Sequence, residues 1–243
     1  MTGEKMELDI IYEDKHVLCL IKPPGIPSQS DKTEDDDLMS AGINYVKSKG
    51  DNPYLGLIQR LDRPVGGVIV FAKNDFANKE LSRQVQERHT KKEYFAVVCG
   101  KPANNKGILE DYIKKLKTIN MSKVTTAEDK QGKIARLEYE VLETAETAEY
   151  GTLCLVKINL LTGRHHQIRL QFSNAGTPIW GDNKYNKVFM KKKDFTIPAL
   201  WSYKFGFKHP KTKKYTEFTS LPKNYPFTIF DFFKSDINRE RQM

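Results

Sequence analysis

The chain has 243 residues, 39% of them hydrophobic and 11% aromatic, which suits one large domain or two small ones with a sizeable core and excludes a disordered chain. Lys and Arg number 40 against 31 Asp and Glu, a formal net charge of +9 that fits phosphate-bearing partners, an anionic membrane surface or simply a solvated lysine-rich face. Three well-separated cysteines, Cys19, Cys99 and Cys154, argue against a disulfide scaffold or a zinc site, and neither a signal-peptide core nor an apolar run near the roughly 18 residues of a membrane span is present, so a cytoplasmic setting is expected.

In chain order, short strands are predicted over 10–12 and 16–21 around a turn at 13–15, and Lys22-Pro23-Pro24-Gly25 then makes a stiff turn. After a polar loop over 29–36, Asp37 is placed to cap a helix that carries Met39, Ile43 and Val46 on one face and ends near Gly50. A Pro/Gly-rich turn follows, Leu57-Ile58-Gln59-Arg60-Leu61-Asp62-Arg63-Pro64-Val65-Gly66-Gly67, feeding a strand over 67–72. A helix over 75–89 has Ala77, Leu81 and Val85 in register, and a strand over 92–100 turns Tyr94, Ala96 and Val98 one way and Phe95, Val97 and Cys99 the other. The weakly patterned stretch 102–133 reads as an excursion from the core, with strands over 108–112 and 135–142 and an exposed loop between them.

A strand is predicted over 153–161. The segment 165–175 alternates like a strand, yet Ile168, Phe172 and Ala175 also make a helix face with Gly176 as its C-cap, and the helix is preferred. Two more strands, over 199–207 and 214–220, fit the late aromatic alternation. Strands and helices interleave irregularly and tight turns join neighbours, which points to an α+β fold with a largely antiparallel or mixed sheet.

Three clusters could carry chemistry. In the first, Asp62 lies between Arg60 and Arg63. An ionised carboxylate beside positive charge can serve as nucleophile, base or electrostatic stabiliser, or the trio can merely fix a turn. The nearest other carboxylates, Asp51 and Asp75, are more than ten residues away, so paired-carboxylate glycosidase chemistry has no local support. In the second, Thr162-Gly163-Arg164-His165-His166-Gln167-Ile168-Arg169 packs two arginines, two histidines and an amide into eight residues after a strand. It could bind phosphate or pair with a carboxylate, or be a solvated helix start; adjacent histidines point about 100° apart on a helix and make a poor metal site. In the third, Tyr94 follows Lys91 and Lys92 and could stack on a base while offering a hydroxyl, or be a half-buried strand aromatic. Fingerprints for dinucleotides, P-loops, zinc proteases and serine hydrolases are absent.

With these residues in hand, the chain resembles the RluA-type RNA pseudouridine synthases. The family hallmark H-R-L-D-x-x-T-S-G, followed by an apolar strand ending F-A-K, corresponds to Gln59 through Gly67, then 68–71, Ala72 and Lys73. K-x-Y-x-A-x-V-x-G appears as 92–100, T-G-R-x-H-Q-I-R as 162–169, and the tail G-x-P-I-x-G-D-x-x-Y as 176–185. Lys22-Pro23-Pro24-Gly25 matches the K-P-x-G turn, and the likeness runs from about residue 8 to about 225. Gln59, Val65 and Gly66 stand where the commonest pattern has His, Thr and Ser.

The resemblance implies the pseudouridine synthase catalytic fold, with helices and loops around a central RNA-binding cleft. Carried over, Asp62 is the catalytic aspartate, attacking C1′ or removing a 2′ proton. Tyr94 is the tyrosine that stacks on the target ring, and Arg169 is the basic partner of the aspartate. Arg60 helps hold the target base out of the stack, and Arg63, Lys92, Arg164, His166 and Gln167 line the RNA-binding cleft. The reaction needs no cofactor and no metal. Expected partners are tRNA or ribosomal RNA and no membrane; the expected state is a monomer. The expected organisation is a single catalytic domain over 1–243 without an N-terminal accessory RNA-binding domain, so the lysine-rich stretch 114–133 is expected to be a loop that closes on RNA. Two rival readings are a non-catalytic RNA-binding or ribosome-assembly protein on the same fold, and an enzyme acting on free nucleotides or sugars.

Overall fold

The computed structural model describes residues 6–30, 35–116 and 118–234. In chain order the first elements are β1 (Asp9–Glu13), β2 (Val17–Lys22), α1 (Leu38–Ser48), β3 (Gly56–Leu57), β4 (Gly66–Ala72), α2 (Asp75–Gln86) and β5 (Lys91–Cys99). They are followed by β6 (Lys106–Leu116), β7 (Met121–Thr125), β8 (Lys133–Thr147), β9 (Gly151–Leu160), α3 (Gln167–Asn174), α4 (Lys187–Met190), β10 (Leu200–Lys208) and β11 (Tyr215–Thr219). The fold is α+β, and the chain forms two compact units, one of residues 1–92 with 202–220, the other of 93–201 with 221–243.

In the first unit the strand order is β1-β2-β4-β10, with β3 on β4 and β11 on β10. β2 and β4 are continuous apolar runs, as strands covered on both faces must be, and they pair antiparallel from Val17↔Ala72 to Lys22↔Gly67. The Asp14 carboxylate accepts the backbone N–H groups of His16 and Val17, each at 2.7 Å, so β2 starts one residue later than the alternation predicts. Gly67 has φ +113, and a Cβ there would lie 2.3 Å from the Ser202 carbonyl oxygen; only glycine allows β4 this approach. The core joins Val17, Cys19, Val68 and Val70 to Ala77 and Leu81 of α2 and to Phe205 and Phe207 of β10.

α1 is capped by Asp37 as predicted, its carboxylate accepting the Ser40 N–H at 3.0 Å. Its buried stripe differs from the prediction: Leu38, Gly42 and Val46 face inward, while Met39 and Ile43 are half-buried. The cause is Gly42, where a Cβ would lie 2.7 Å from Leu55 Cδ1, so the helix rests closest on its barest side.

The second unit carries the order β5-β9-β8-β6-β7, antiparallel at every step. α3 packs Leu170 with Ile113, Ala135 and Tyr185, and Phe172 meets Tyr139 edge-on at 5.7 Å. The stretch expected to hold an exposed loop is instead a hairpin. β6 runs on to Leu116 and pairs with an unpredicted strand, β7, with Lys114 opposite Lys123 and Lys115 opposite Ser122. Both arms are rich in charged and half-exposed residues, so hydrophobic alternation is too weak to announce them. Lys114 is engaged by Asp129 at 3.2 Å. No helix among the described residues is long and apolar enough to cross a membrane.

Candidate active site

Arg60, Asp62 and Arg63 occupy one turn of the first unit. The Val65 N–H closes it on the Asp62 carbonyl at 2.9 Å, and Val65 itself is buried. The turn is braced from behind by Lys22, which is fully buried. Its Nζ donates to the carbonyls of Pro23 at 3.0 Å, Ile26 at 2.6 Å and Arg63 at 2.9 Å. Arg63 ties the same two segments: Nε donates to the Gly25 carbonyl at 2.9 Å, Gly25 N–H donates back to the Arg63 carbonyl at 2.9 Å, and the guanidinium pairs with Asp35. Ser28 completes the frame, its hydroxyl donating to the Leu61 carbonyl at 2.9 Å and accepting the Leu61 N–H at 3.2 Å. Gln59 donates from Nε2 to the Val68 carbonyl at 3.2 Å. The stiff 22–25 turn and the Asp62 turn are therefore one construction, with Asp62 half-buried and Arg60 exposed.

Burial pulls the Lys22 ammonium down to about 7, against the opposing attraction of Asp62 and with the repulsion of Arg63. Three carbonyl acceptors match the three N–H donors of an ammonium, so the charged form fits the frame. Lys22→Met is expected to strand three carbonyls and cost about 2–4 kcal/mol of stability. Urea unfolding of wild type beside the variant checks it. Lys92 lies at the start of β5 in the same unit, and burial with Arg88 close by holds it below the usual lysine range.

The remaining expected residues belong to the second unit. Tyr94 is buried on β5 opposite Ile158 of β9. Arg164, His166, Gln167 and Arg169 gather at the start of α3. His166 is its N-cap residue, in the left-handed region at φ 53, where a non-glycine residue is held only by its surroundings. Its ring stacks on His165 at 3.8 Å, and Nδ1 lies 2.9 Å from the Tyr185 hydroxyl, which also accepts the Ser122 N–H at 2.7 Å. The Ser122 hydroxyl bonds the His165 carbonyl at 2.8 Å, so the β6–β7 hairpin is pinned to this turn.

Gln167 is buried and saturated. Oε1 accepts from the Thr162 hydroxyl at 2.8 Å and the Arg164 N–H at 3.0 Å, and Nε2 donates to the Arg136 carbonyl at 3.2 Å and to Gln171 at 3.0 Å. Where the sequence suggests a cleft-lining amide, the structure places a brace inside the unit. Arg164 is half-buried and spends Nε on the Ile134 carbonyl at 2.9 Å.

Arg169 is buried, and Asp182 grips it with both oxygens, Nε to Oδ2 at 2.8 Å and Nη2 to Oδ1 at 2.7 Å. Asp182 Oδ1 also accepts the N–H groups of Lys184 at 2.9 Å and Tyr185 at 3.2 Å, and the guanidinium lies 5.5 Å from the Tyr185 ring centre. A guanidinium has five N–H donors; Asp182 takes two and orients the others. Residue-by-residue reading missed Lys22, Asp182 and Tyr185 as parts of these frames. Their signal was present only as position, in the K-P-x-G turn and the G-D-x-x-Y tail.

Burial, followed by the positive charges of Arg169, His165 and Lys184, drives the His166 pKa down to about 2, against the pull of Asp182. An unfolded histidine takes its proton near 6.5, so between about 2 and 6.5 the unfolded state binds the extra proton. Stability is then full above 6.5 and is lost as pH falls through that window. Going from pH 7 to 5 is expected to cost about 2 kcal/mol through this residue. Urea unfolding of wild type and His166→Gln at the two pH values reads it as the difference between the two slopes.

Residues 16–174 match the family model described as RNA pseudouridylate synthase. The uncharacterized RNA pseudouridine synthase YlyB of Bacillus subtilis (strain 168) is 34% identical over 92% of this chain and 72% of its own length. Ribosomal large subunit pseudouridine synthase C of Rickettsia bellii (strain RML369-C) is 34% identical over 72% of this chain, and the match spans 56% of that relative. The solved structure of human RNA pseudouridylate synthase domain containing 1 shares the fold, with a TM-score of 0.73 at 21% identity over 91% of this chain and 86% of that one.

Proposed function

This chain belongs to the RNA pseudouridylate synthase family, and we propose that it isomerises uridine to pseudouridine in ribosomal or transfer RNA with Asp62 as its catalytic carboxylate. The reaction breaks the N1–C1′ bond, forms a C5–C1′ bond, gives N1 a proton and releases the proton of C5. Asp62 acts on the sugar, at C1′ or at the 2′ proton; Tyr94 stacks on the target ring; Arg169, oriented by Asp182, supplies positive charge to the reaction. Arg60, Arg63 and Lys92 meet phosphates and the opened stack, while Arg164, His166 and Gln167 shape the floor from within. The reading carries with it a monomer in the cytoplasm, where three free thiols are at home.

The observation that carries it is the frame of the Asp62 turn. Lys22, Arg63 and Ser28 hold the backbone on both sides of one half-buried carboxylate, the rigidity that a group acting on a single sugar carbon requires. The test is tritium release from RNA labelled at C5 of uridine, with unmodified tRNA and ribosomal RNA transcripts beside free uridine and its phosphates. Release from a transcript alone supports the reading. Release from free nucleotides would make this a nucleotide enzyme, and tight RNA binding with no release would make it a binding protein.

A further inference from the structure

Resting on the RNA reading above, we propose that residues 187–197 form a second RNA contact outside the candidate active site. Lys187, Lys191 and Lys193 would take backbone phosphates, and Phe195 would stack on a base. The segment exposes Phe195 to 70%, Val188 to 58%, Met190 to 53% and Ile197 to 40%. Interleaved with them, Lys187, Lys191 and Lys193 are exposed and have no ion-pair partner among the described residues. Neutralised phosphates plus an exposed ring are what a single-stranded nucleic acid recognises.

The inner side of the segment is firmly held, so its apolar outer side is not a frayed remnant of the core. Phe189 is buried, stacked on Tyr150 at 5.6 Å and edge-on to Trp180 at 5.0 Å. Lys192 is a strut, with Nζ 2.9 Å from the Tyr150 hydroxyl, 3.3 Å from Glu149 and about equally over the Tyr150 and Phe189 rings, at 4.9 and 5.1 Å. Asn186 caps α4 by accepting the Val188 N–H at 3.1 Å, and the Thr196 hydroxyl donates to the Gly181 carbonyl at 2.9 Å. Ile197 runs so close to Gly181 that a Cβ there would lie 2.4 Å from its carbonyl oxygen.

Two observations select RNA as the occupant. The segment is anchored on Gly181 and Asn183, the residues on either side of the Asp182 that grips Arg169, so it continues the stretch that builds the candidate site. A second half-exposed ring, Tyr225, lies 5.2 Å from Trp180 in the same aromatic cluster. α4, by contrast, has only four residues and turns Phe189 inward, too little to form a membrane-surface helix.

The experiment titrates the transcript with wild type, with Lys187→Ala/Lys191→Ala/Lys193→Ala, and with Phe195→Ala, across a salt series. The triple variant should lower the slope of log affinity against log salt by about 2–3, since each phosphate contact contributes roughly 0.7–0.9. Phe195→Ala should raise Kd by roughly 5- to 100-fold with the slope unchanged, and both should raise KM while sparing kcat at saturating RNA. Wild-type Kd and slope in both variants would overturn the proposal. So would loss of binding to phosphatidylserine vesicles with RNA binding intact, which would assign the surface to lipid. Tritium release by wild type is scored separately, so failure of the synthase reading is distinguishable from failure of this one.

Discussion

Asp62→Ala is expected to abolish tritium release from uridine-labelled RNA, by at least about 10⁴-fold in turnover, as removal of a group on which the chemistry depends does. RNA affinity should change little, because the exposed Arg60 and the framework residues are untouched. The frame explains why the loss should be clean. The turn is held by main-chain contacts from Lys22, Ser28 and Gly25, and the Asp62 carboxylate adds to that frame its attraction for the Lys22 ammonium. Asp62→Asn should behave alike, since the amide keeps the volume and loses the charge. Turnover above about a hundredth of wild type in either variant would remove Asp62 from the centre of the mechanism. Loss of RNA binding in parallel would instead make the carboxylate a structural part of the turn.

Asp182→Ala should cost about 3–5 kcal/mol of stability. It leaves the buried guanidinium of Arg169 without its bidentate partner and the N–H groups of Lys184 and Tyr185 without their acceptor. The Tyr185 hydroxyl that links Ser122 to His166 is also expected to shift. Activity should fall with it, because Arg169 loses its orientation. A paired replacement, Arg169→Met with Asp182→Leu, separates the two roles: buried ion pairs exchanged for apolar residues of similar volume often lose no stability. Urea unfolding should therefore return most of the way to wild type in the double variant while tritium release stays absent. Recovery of both would reduce the pair to packing and withdraw Arg169 from the reaction.

Local periodicity and turn chemistry were enough for much of the architecture. β2 and β4 are continuous apolar runs, β5 and β9 carry buried apolar stretches over 94–98 and 153–156, α2 carries Ala77 and Leu81 one turn apart behind its Asn74 cap, and Asp37 caps α1. The clusters around Asp62 and at 162–169 were legible because the residues that define them are neighbours in the chain. The β6–β7 hairpin was not, since its arms are rich in charged and half-exposed residues, and Ile113, Met121 and Val124 join one core cluster only in the folded unit.

Sequence by itself determined where charge and aromatic side chains concentrate, the α+β character with a largely antiparallel or mixed sheet, and the motif order that marks the family. Tertiary structure decided what each of those side chains does. Lys22 reads as part of a stiff turn and is buried only because the 22–26 and 61–63 segments fold onto it. Gln167 reads as a polar ligand and is an internal brace because β8 brings the Arg136 carbonyl to it. Arg169 and Asp182, thirteen positions apart, become a bidentate pair because the chain returns beside α3 after Gly176. The physical reason is common to all three. A side chain's propensity is set by its near neighbours, but its burial and its hydrogen-bond partner are set by segments that only the folded backbone brings within 3 Å.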